Sequence, residues 1–244
     1  MKSQFAVHEA QLTSEGDAVE VKRLFPGPAK MNFDPFVLWD HFSINPGAGF
    51  PDHPHRGFEA LTYLFKGTMQ HSDNLGNQST VHPGGVQRFT AGKGLVHSEM
   101  PGTEGISEGI QLWVNSARAD KMRDPDYQQV NNNELPVTEW EQGSMTTIVG
   151  DGSPVKLLTP VIYQKLVLQQ KGDYTLDIPA NYQGICYVVN GEASIEGNVI
   201  PAGYALLSEK GGQFNILSED ACTVMIAFGQ PHREPIHQHG PFVD

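Results

Sequence analysis

The sequence predicts an all-β protein made of two tandem β-barrel lobes. Its 244 residues include 26 Gly and 17 Pro, a share of turn-forming residues that is typical of many short strands joined by tight turns. Short apolar or alternating segments recur along the chain and end at Gly, Pro or Asn. The turn signals of the first half also return in the second half, which indicates two copies of one barrel.

Each predicted strand is an apolar or alternating segment that a turn signal follows. In the first half the predicted strands are, in chain order, 18–24, 36–42, 59–65, 68–73, 86–90 and 109–115. Residues 117–123 have the clearest helical pattern, which Asp124 and Pro125 would end. The polar residues 124–143 are expected to connect the two halves.

The second half repeats the turn pattern of the first. Residues 187–191 resemble residues 63–67, and the Pro-Gly turn at 83–86 returns 118 positions later at 201–204. The repeat predicts three parts of the chain. They are an N-terminal lobe over residues 1–120, a connector over 121–145, and a C-terminal lobe with a tail over 146–244.

Charge and composition restrict the partners that the chain can have. The net charge is −12, from 16 basic and 28 acidic residues, and an acidic chain without a basic stripe is not expected to bind nucleic acid directly. Two cysteines are too few for a disulfide framework and favour a reducing compartment. We see no signal peptide and no apolar stretch near the roughly 20 residues of a membrane span. A cytoplasmic monomer without membrane contact is therefore expected.

Two short segments carry side chains that commonly bind metals. Residues 53–55 read His-Pro-His, and residues 97–99 read His-Ser-Glu. Residues i and i+2 of a strand point to the same face, so each segment can aim two side chains at one point. If the strands face each other across a barrel, the two points coincide. Three imidazoles and a carboxylate suit a divalent transition metal such as Fe, Mn, Co, Ni, Cu or Zn. The predicted ligands are His53, His55, His97 and Glu99.

Glu59 has the right parity to face inward with His53 and His55. It could be a further ligand, a group that holds an imidazole N–H, or a paired structural carboxylate, and we favour the second role. The repeat predicts that the second lobe has lost the ligands. The residues aligned with the four predicted ligands are Asp177, Pro179, Asn215 and Leu217.

These residues resemble the motifs of the cupin superfamily. The first motif matches Gly47, His53, His55, Glu59 and Gly67, with the last spacing longer by one residue. The second motif matches residues 94–97, although Gly92 stands where a Pro is expected. Within the cupins the chain is similar to the pirin family through nearly its whole length. The resembling stretches are 34–36, 53–59, 90–94, 97–101, 112–115 and 234–236.

The resemblance implies a fold and a site. Pirins are bicupins: two cupin lobes, each a double-stranded β-helix, with one metal in the N-terminal lobe only. Their ligand set of three His and one Glu carries over to His53, His55, His97 and Glu99. The residue that corresponds to Glu59 is not a ligand in that family.

The resemblance also implies two functions. Bacterial pirin-like proteins are associated with quercetin 2,3-dioxygenase activity, so the leading hypothesis is a metal-dependent dioxygenase that cleaves a flavonol or a related enolic aromatic molecule with O2. Fe(II) is the expected metal, and Glu99 is the expected general base for the substrate hydroxyl. The alternative is a non-enzymatic, iron- or redox-sensing co-regulator that binds a partner protein. A metal-dependent isomerase or hydrolase is a third hypothesis, because one barrel hosts many chemistries.

Overall fold

The computed structural model describes residues 5–244, which form 24 strands and one 3₁₀ helix, Asn132–Glu134. None of the helices in this range is long and apolar enough to cross a membrane. The predicted all-β class is confirmed. The strands of the first half are Phe5–Glu9 (β1), Gln11–Glu15 (β2), Val19–Phe25 (β3), Phe36–Ile44 (β4), Phe50–His55 (β5), Phe58–Lys66 (β6), Met69–Asp73 (β7), Gln78–Val81 (β8), Val86–Thr90 (β9), Leu95–Pro101 (β10), Ser107–Asn115 (β11) and Asp126–Val130 (β12). The strands of the second half are Val137–Trp140 (β13), Gly143–Val149 (β14), Val161–Leu168 (β15), Gly172–Ile178 (β16), Gln183–Asn190 (β17), Glu192–Ile195 (β18), Asn198–Pro201 (β19), Tyr204–Ser208 (β20), Gly212–Ser218 (β21), Cys222–Gly229 (β22), Gln238–His239 (β23) and Phe242–Val243 (β24).

The described chain divides into two compact units. The N-terminal lobe comprises residues 11–134 and 232–244, and the C-terminal lobe comprises residues 5–10 and 135–231. The predicted parts 1–120, 121–145 and 146–244 differ from these units. Backbone pairing places β1 in the C-terminal lobe, and it places β12 and the C-terminal tail in the N-terminal lobe. Strand β1 pairs with β20, β12 pairs with β9, and the Val243 N–H donates to the Arg56 carbonyl.

The N-terminal lobe contains a seven-stranded and a four-stranded sheet. Their strand orders are β12-β9-β6-β11-β4-β3-β2 and β5-β10-β7-β8. Central strand β6 is buried from Phe58 to Leu64, as expected for a strand with both faces covered. In strand β3, Val19 and Val21 are buried and alternate with exposed residues, so one face of this strand packs on the core.

The C-terminal lobe repeats this architecture with sheets ordered β1-β20-β17-β22-β15-β14-β13 and β16-β21-β18-β19. Its interior is apolar where the first lobe carries histidines, because Phe214 and Ile216 of β21 point into the core. Asn215 and Leu217 are exposed, so they are not the interior counterparts of His97 and Glu99. A shift of one residue moves every side chain of a strand to the opposite face, and the sequence alignment of the two lobes was wrong by that amount.

Residues 117–123 form consecutive turns, and the helix predicted there was wrong. The Asp120 N–H donates to the Ala117 carbonyl, and the Arg123 N–H donates to the Asp120 carbonyl. Seven residues are too few to offset the cost of starting an isolated α-helix. The predicted connector 124–143 also holds regular structure, since β12, the 3₁₀ helix and β13 lie within it.

Candidate metal centre

Three histidines meet on the four-stranded sheet of the N-terminal lobe. Strands β5 and β10 are antiparallel neighbours, and His97 lies directly opposite His53, with Leu95 opposite His55. Each ring offers a nitrogen, and these three atoms lie within 4.8 Å of one another. Among residues 5–244 this is the one group of three or more His, Cys, Asp or Glu side chains with such spacing.

Backbone carbonyls orient two of the rings. The Nδ1 of His53 lies 2.7 Å from the Pro51 carbonyl oxygen, and the Nδ1 of His55 lies 3.4 Å from the Pro241 carbonyl oxygen. A carbonyl can only accept, so each Nδ1 carries the proton and each Nε2 keeps its lone pair. Both free nitrogens are therefore available as ligands.

The environment keeps the buried rings neutral. Burial, reinforced by the neighbouring His97 and His53, lowers the pKa of His55 to about 2. Burial likewise holds the pKa of His97 well below its ordinary value. Neutral imidazole is the form that binds metals, since the ligand nitrogen must be unprotonated.

The spacing of the rings fits a shared cation. The Nε2 atoms of His53 and His97 are 3.1 Å apart. Two nitrogens that each lie about 2.1 Å from one metal, at a right angle to each other, are about 3.0 Å apart. Two neutral rings that face each other through lone pairs repel, and a cation between them removes that repulsion. The donor set and its geometry therefore fit a divalent transition metal.

Glu99 lies beside this triad but outside it. A register shift between His97 and Glu99 places Glu99 opposite Phe50, and the carboxylate is only 2% exposed. Its oxygens accept hydrogen bonds from the Thr62 hydroxyl at 2.8 Å, the Gln111 amide at 2.7 Å, and the Gln87 amide. Three neutral donors from three different strands thus fix the carboxylate in the wall of the cavity described next.

A cavity of about 320 Å³ opens beside the triad. His53, His55 and Glu99 contribute to its wall. Nine of the other 16 lining residues are apolar or aromatic: Val21, Pro26, Met31, Leu38, Phe42, Phe50, Met69, Trp113 and Pro241. Its size and lining are those of a site for a small, largely apolar molecule.

The cavity also contains a buried ion pair. Arg23 binds Asp40 through two hydrogen bonds of 2.8 and 2.6 Å, and it binds Glu15 at 2.5 Å. Burial raises the pKa of Asp40 to about 6, although Arg23 acts in the opposite direction. The pair places charged groups where a ligand in the cavity can reach them.

The C-terminal tail, residues 232–244, completes the cavity wall with Gln238, Gly240 and Pro241. Its last residue, Asp244, accepts two bonds of 2.8 Å from the Arg56 guanidinium. The Lys121 ammonium donates to the Val243 carbonyl at 2.8 Å. Asp244 is therefore the acid that pairs with Arg56.

Several residues of the centre are not singled out by the sequence analysis. The hydroxyl of Thr90 donates at 3.0 Å to Glu59, the inward-facing carboxylate discussed above, which is 1% exposed. The Nδ1 of His71 lies 3.4 Å from the Nδ1 of His97. The spacing of His71 from Asp73, two residues apart on a strand, was the available signal. The remaining missed residues of the site are Thr62, Gln87, Gln111, Gln238 and Pro241.

Comparisons with known proteins agree with this picture. The profile described as Pirin matches residues 18–114, and the one described as Pirin C-terminal cupin domain matches residues 163–244. Human pirin is 37% identical, over 94% of this chain and 83% of its own. A Pseudomonas aeruginosa protein provisionally named quercetin 2,3-dioxygenase is 36% identical, over 97% of this chain and 90% of its own. The crystal structure of a quercetin 2,3-dioxygenase from Acinetobacter baumannii superimposes with a TM-score of 0.90 at 28% identity, covering 98% of this chain and 90% of that one.

Proposed function

The chain belongs to the pirin family of two-lobed cupins, and from that premise we propose that it is a metal-dependent dioxygenase of a flavonol or a related enolic aromatic molecule. The observation that carries the proposal is a triad of imidazoles beside a largely apolar cavity. Relatives named quercetin 2,3-dioxygenase support the same chemistry.

His53, His55 and His97 would hold the metal through their Nε2 atoms. Glu99 is proposed as the fourth ligand, with Fe(II) as the expected ion and Mn, Co, Ni, Cu or Zn as alternatives. A bound divalent cation would lower the pKa of a substrate hydroxyl, and a redox-active ion such as Fe(II) would also supply redox chemistry with O2. The protein itself contributes position, charge and exclusion of water.

The cavity suits a flat aromatic substrate. Trp113 and Phe50 offer ring faces, while Gln238 offers a buried side-chain oxygen that has no hydrogen-bond partner among residues 5–244. A buried acceptor without a partner costs free energy, which a substrate hydroxyl would recover by donating to it. A polyhydroxylated aromatic molecule meets both requirements.

Glu99 is proposed to take the proton of the substrate hydroxyl. Its carboxylate is held by Thr62, Gln87 and Gln111, so it need not reorganise when the proton arrives. The Gln111 amide also accepts a bond from the Trp113 indole at 3.1 Å, which fixes the amide so that its N–H points at Glu99. The base and the metal ligands then face one substrate position.

The test is oxygen uptake with quercetin by protein purified anaerobically and loaded in turn with Fe(II), Mn, Co, Ni or Cu. Metal-dependent uptake with loss of the flavonol absorbance is expected. His97→Ala should lose most bound metal and all uptake while its circular dichroism spectrum stays that of the wild type. His82→Ala is the matched control, because His82 is exposed and remote from the cavity lining.

Two outcomes contradict the proposal in different ways. Stoichiometric metal without oxygen uptake would reject flavonol oxidation and shift support to a non-enzymatic sensor that binds a partner protein. Unchanged metal content in His97→Ala would reject the ligand assignment itself.

A further inference from the structure

A His-x-Asp pair, His71 and Asp73, stands directly behind the metal triad. Strand β7 pairs with β10, so Asp73 lies opposite His97 and His71 lies opposite Glu99. The side chains of His71 and Asp73 are both fully inaccessible to solvent. Buried polar groups in such a position must satisfy each other or act on their neighbours.

The three side chains form one chain of hydrogen bonds. The Nε2 of His71 lies 3.0 Å from Asp73 Oδ2, and the Nδ1 of His71 lies 3.4 Å from the Nδ1 of His97. A carboxylate can only accept, so Nε2 of His71 carries the proton and donates it. The Nδ1 of a neutral His71 is then an acceptor, and the Nδ1 of His97 must be the donor.

We propose that the buried Asp73–His71 pair is a positioning device for the metal ligand His97, fixing the ring so that its Nε2 lone pair faces the metal. The inference rests on the proposed metal site but not on flavonol oxidation. It gives His97 a role that the other two ligands lack, since their Nδ1 atoms face neutral backbone carbonyls. A carboxylate partner makes a ligand imidazole a stronger donor to the metal.

Packing holds the pair in place. The His71 ring stacks on Tyr127 with ring centres 4.1 Å apart and planes 14° from parallel. Asp73 Oδ1 accepts bonds of 3.0 Å from the backbone N–H groups of Leu75 and Asn77. Burial alone would raise the pKa of Asp73, but the bonds from His71 and Asn77 outweigh it and lower that pKa.

A purely structural role is the competing explanation, because Asp73 also closes the turn between β7 and β8. The Asn77 side chain separates the two roles. It donates to both oxygens of Asp73 but is not part of the chain to His97. Asn77→Ala therefore weakens the turn and leaves the His71 contact intact.

The experiment measures Co(II) binding to the full-length apoprotein by titration of the ligand-field absorption bands. Outer hydrogen-bond partners of metal ligands change affinity by about 10–100-fold when they are removed. His71→Phe keeps a ring against Tyr127 and removes both nitrogens, so the loss should be near the upper end of that range. Asp73→Asn keeps an acceptor and removes the charge, so its loss should be near the lower end, with a shift of the Co(II) bands. Asn77→Ala should keep the wild-type affinity and bands.

Each outcome decides the inference. Wild-type affinity and bands in both His71→Phe and Asp73→Asn would overturn it, as would equal losses in Asp73→Asn and Asn77→Ala. If Asp73→Asn fails to fold by circular dichroism, His71→Phe decides alone. A wild-type protein that binds no Co(II) overturns both this inference and the proposed metal site. Tight binding without oxygen uptake overturns only the dioxygenase proposal.

Discussion

Gly57 lies beside the C-terminal tail, two residues after strand β5 with its His53 and His55, and Gly57→Ala should release the tail. Its backbone has a φ of +85°, which side chains other than hydrogen rarely tolerate. A methyl group built there would overlap the carbonyl oxygen of Val243. Because that oxygen belongs to the backbone, the tail itself must move.

The cost has two parts. Placing alanine in a left-handed conformation costs about 1–2 kcal/mol. Moving the tail backbone around Val243 breaks three hydrogen bonds of that backbone, each worth about 1 kcal/mol. They join Arg56 N–H to Pro241 O, Val243 N–H to Arg56 O, and Lys121 Nζ to Val243 O. The two parts add to about 4–5 kcal/mol, and full undocking of the tail would also break the Arg56–Asp244 hydrogen bonds.

Hydrogen exchange of the tail amides is the direct assay. We expect the Val243 amide, which donates at 3.0 Å in the native fold, to lose its protection in Gly57→Ala. Gly47→Ala is the matched control, since its φ is +90° and a methyl group there meets open space. It should cost only the strain of about 1–2 kcal/mol and leave the tail protected. Tail protection in Gly57→Ala equal to that in Gly47→Ala would refute the reasoning.

Three further predictions concern the cavity and one surface network. Glu99→Gln should reduce oxygen uptake more than metal content, because the amide cannot accept a proton; equal losses would make Glu99 only a ligand. Gln238→Leu should raise the KM for quercetin about tenfold, the equivalent of one lost hydrogen bond of about 1.4 kcal/mol, and an unchanged KM would remove Gln238 from substrate binding. Glu108→Gln should lower the free energy of unfolding at pH 7 by about 0.5–1 kcal/mol. The His41 hydrogen bond, with help from Lys66, lowers the pKa of Glu108 to about 2. Because that pKa lies below its unfolded value, the contribution is present above about pH 4.5 and is lost as the pH falls toward 2. The difference in free energy of unfolding between wild type and Glu108→Gln, measured by urea denaturation, should therefore shrink as the pH falls. A difference that stays constant would mean that the Glu108 carboxylate does not supply this stability.

The sequence indicates the histidines of the centre because their signal is local. His53 and His55 are two residues apart on one strand, and a strand's period of two already places them on one face. The tail contact is invisible in the sequence because Pro241 lies 186 residues from His55 along the chain. The hydrogen-bond partners of Glu99 are also invisible in the sequence. Three separate strands supply its donors, and a register shift in β10 changes which residue Glu99 faces. In the C-terminal lobe, an alignment error of one residue placed the exposed Asn215 opposite His97, whereas the buried residue of that strand is Phe214.

The charges around the cavity constrain what can occupy it. Glu15, Asp40 and Glu99 carry three formal negative charges when ionised, and Arg23 carries one positive charge. These four groups together have a formal charge of −2, which a divalent cation at the triad would balance. A substrate that enters neutral and gives one proton to Glu99 keeps the balance, whereas a carboxylated substrate adds a charge in a cavity that water screens poorly. For the proposed function, these charges would favour a neutral polyphenol over an aromatic acid, independently of any likeness to other proteins.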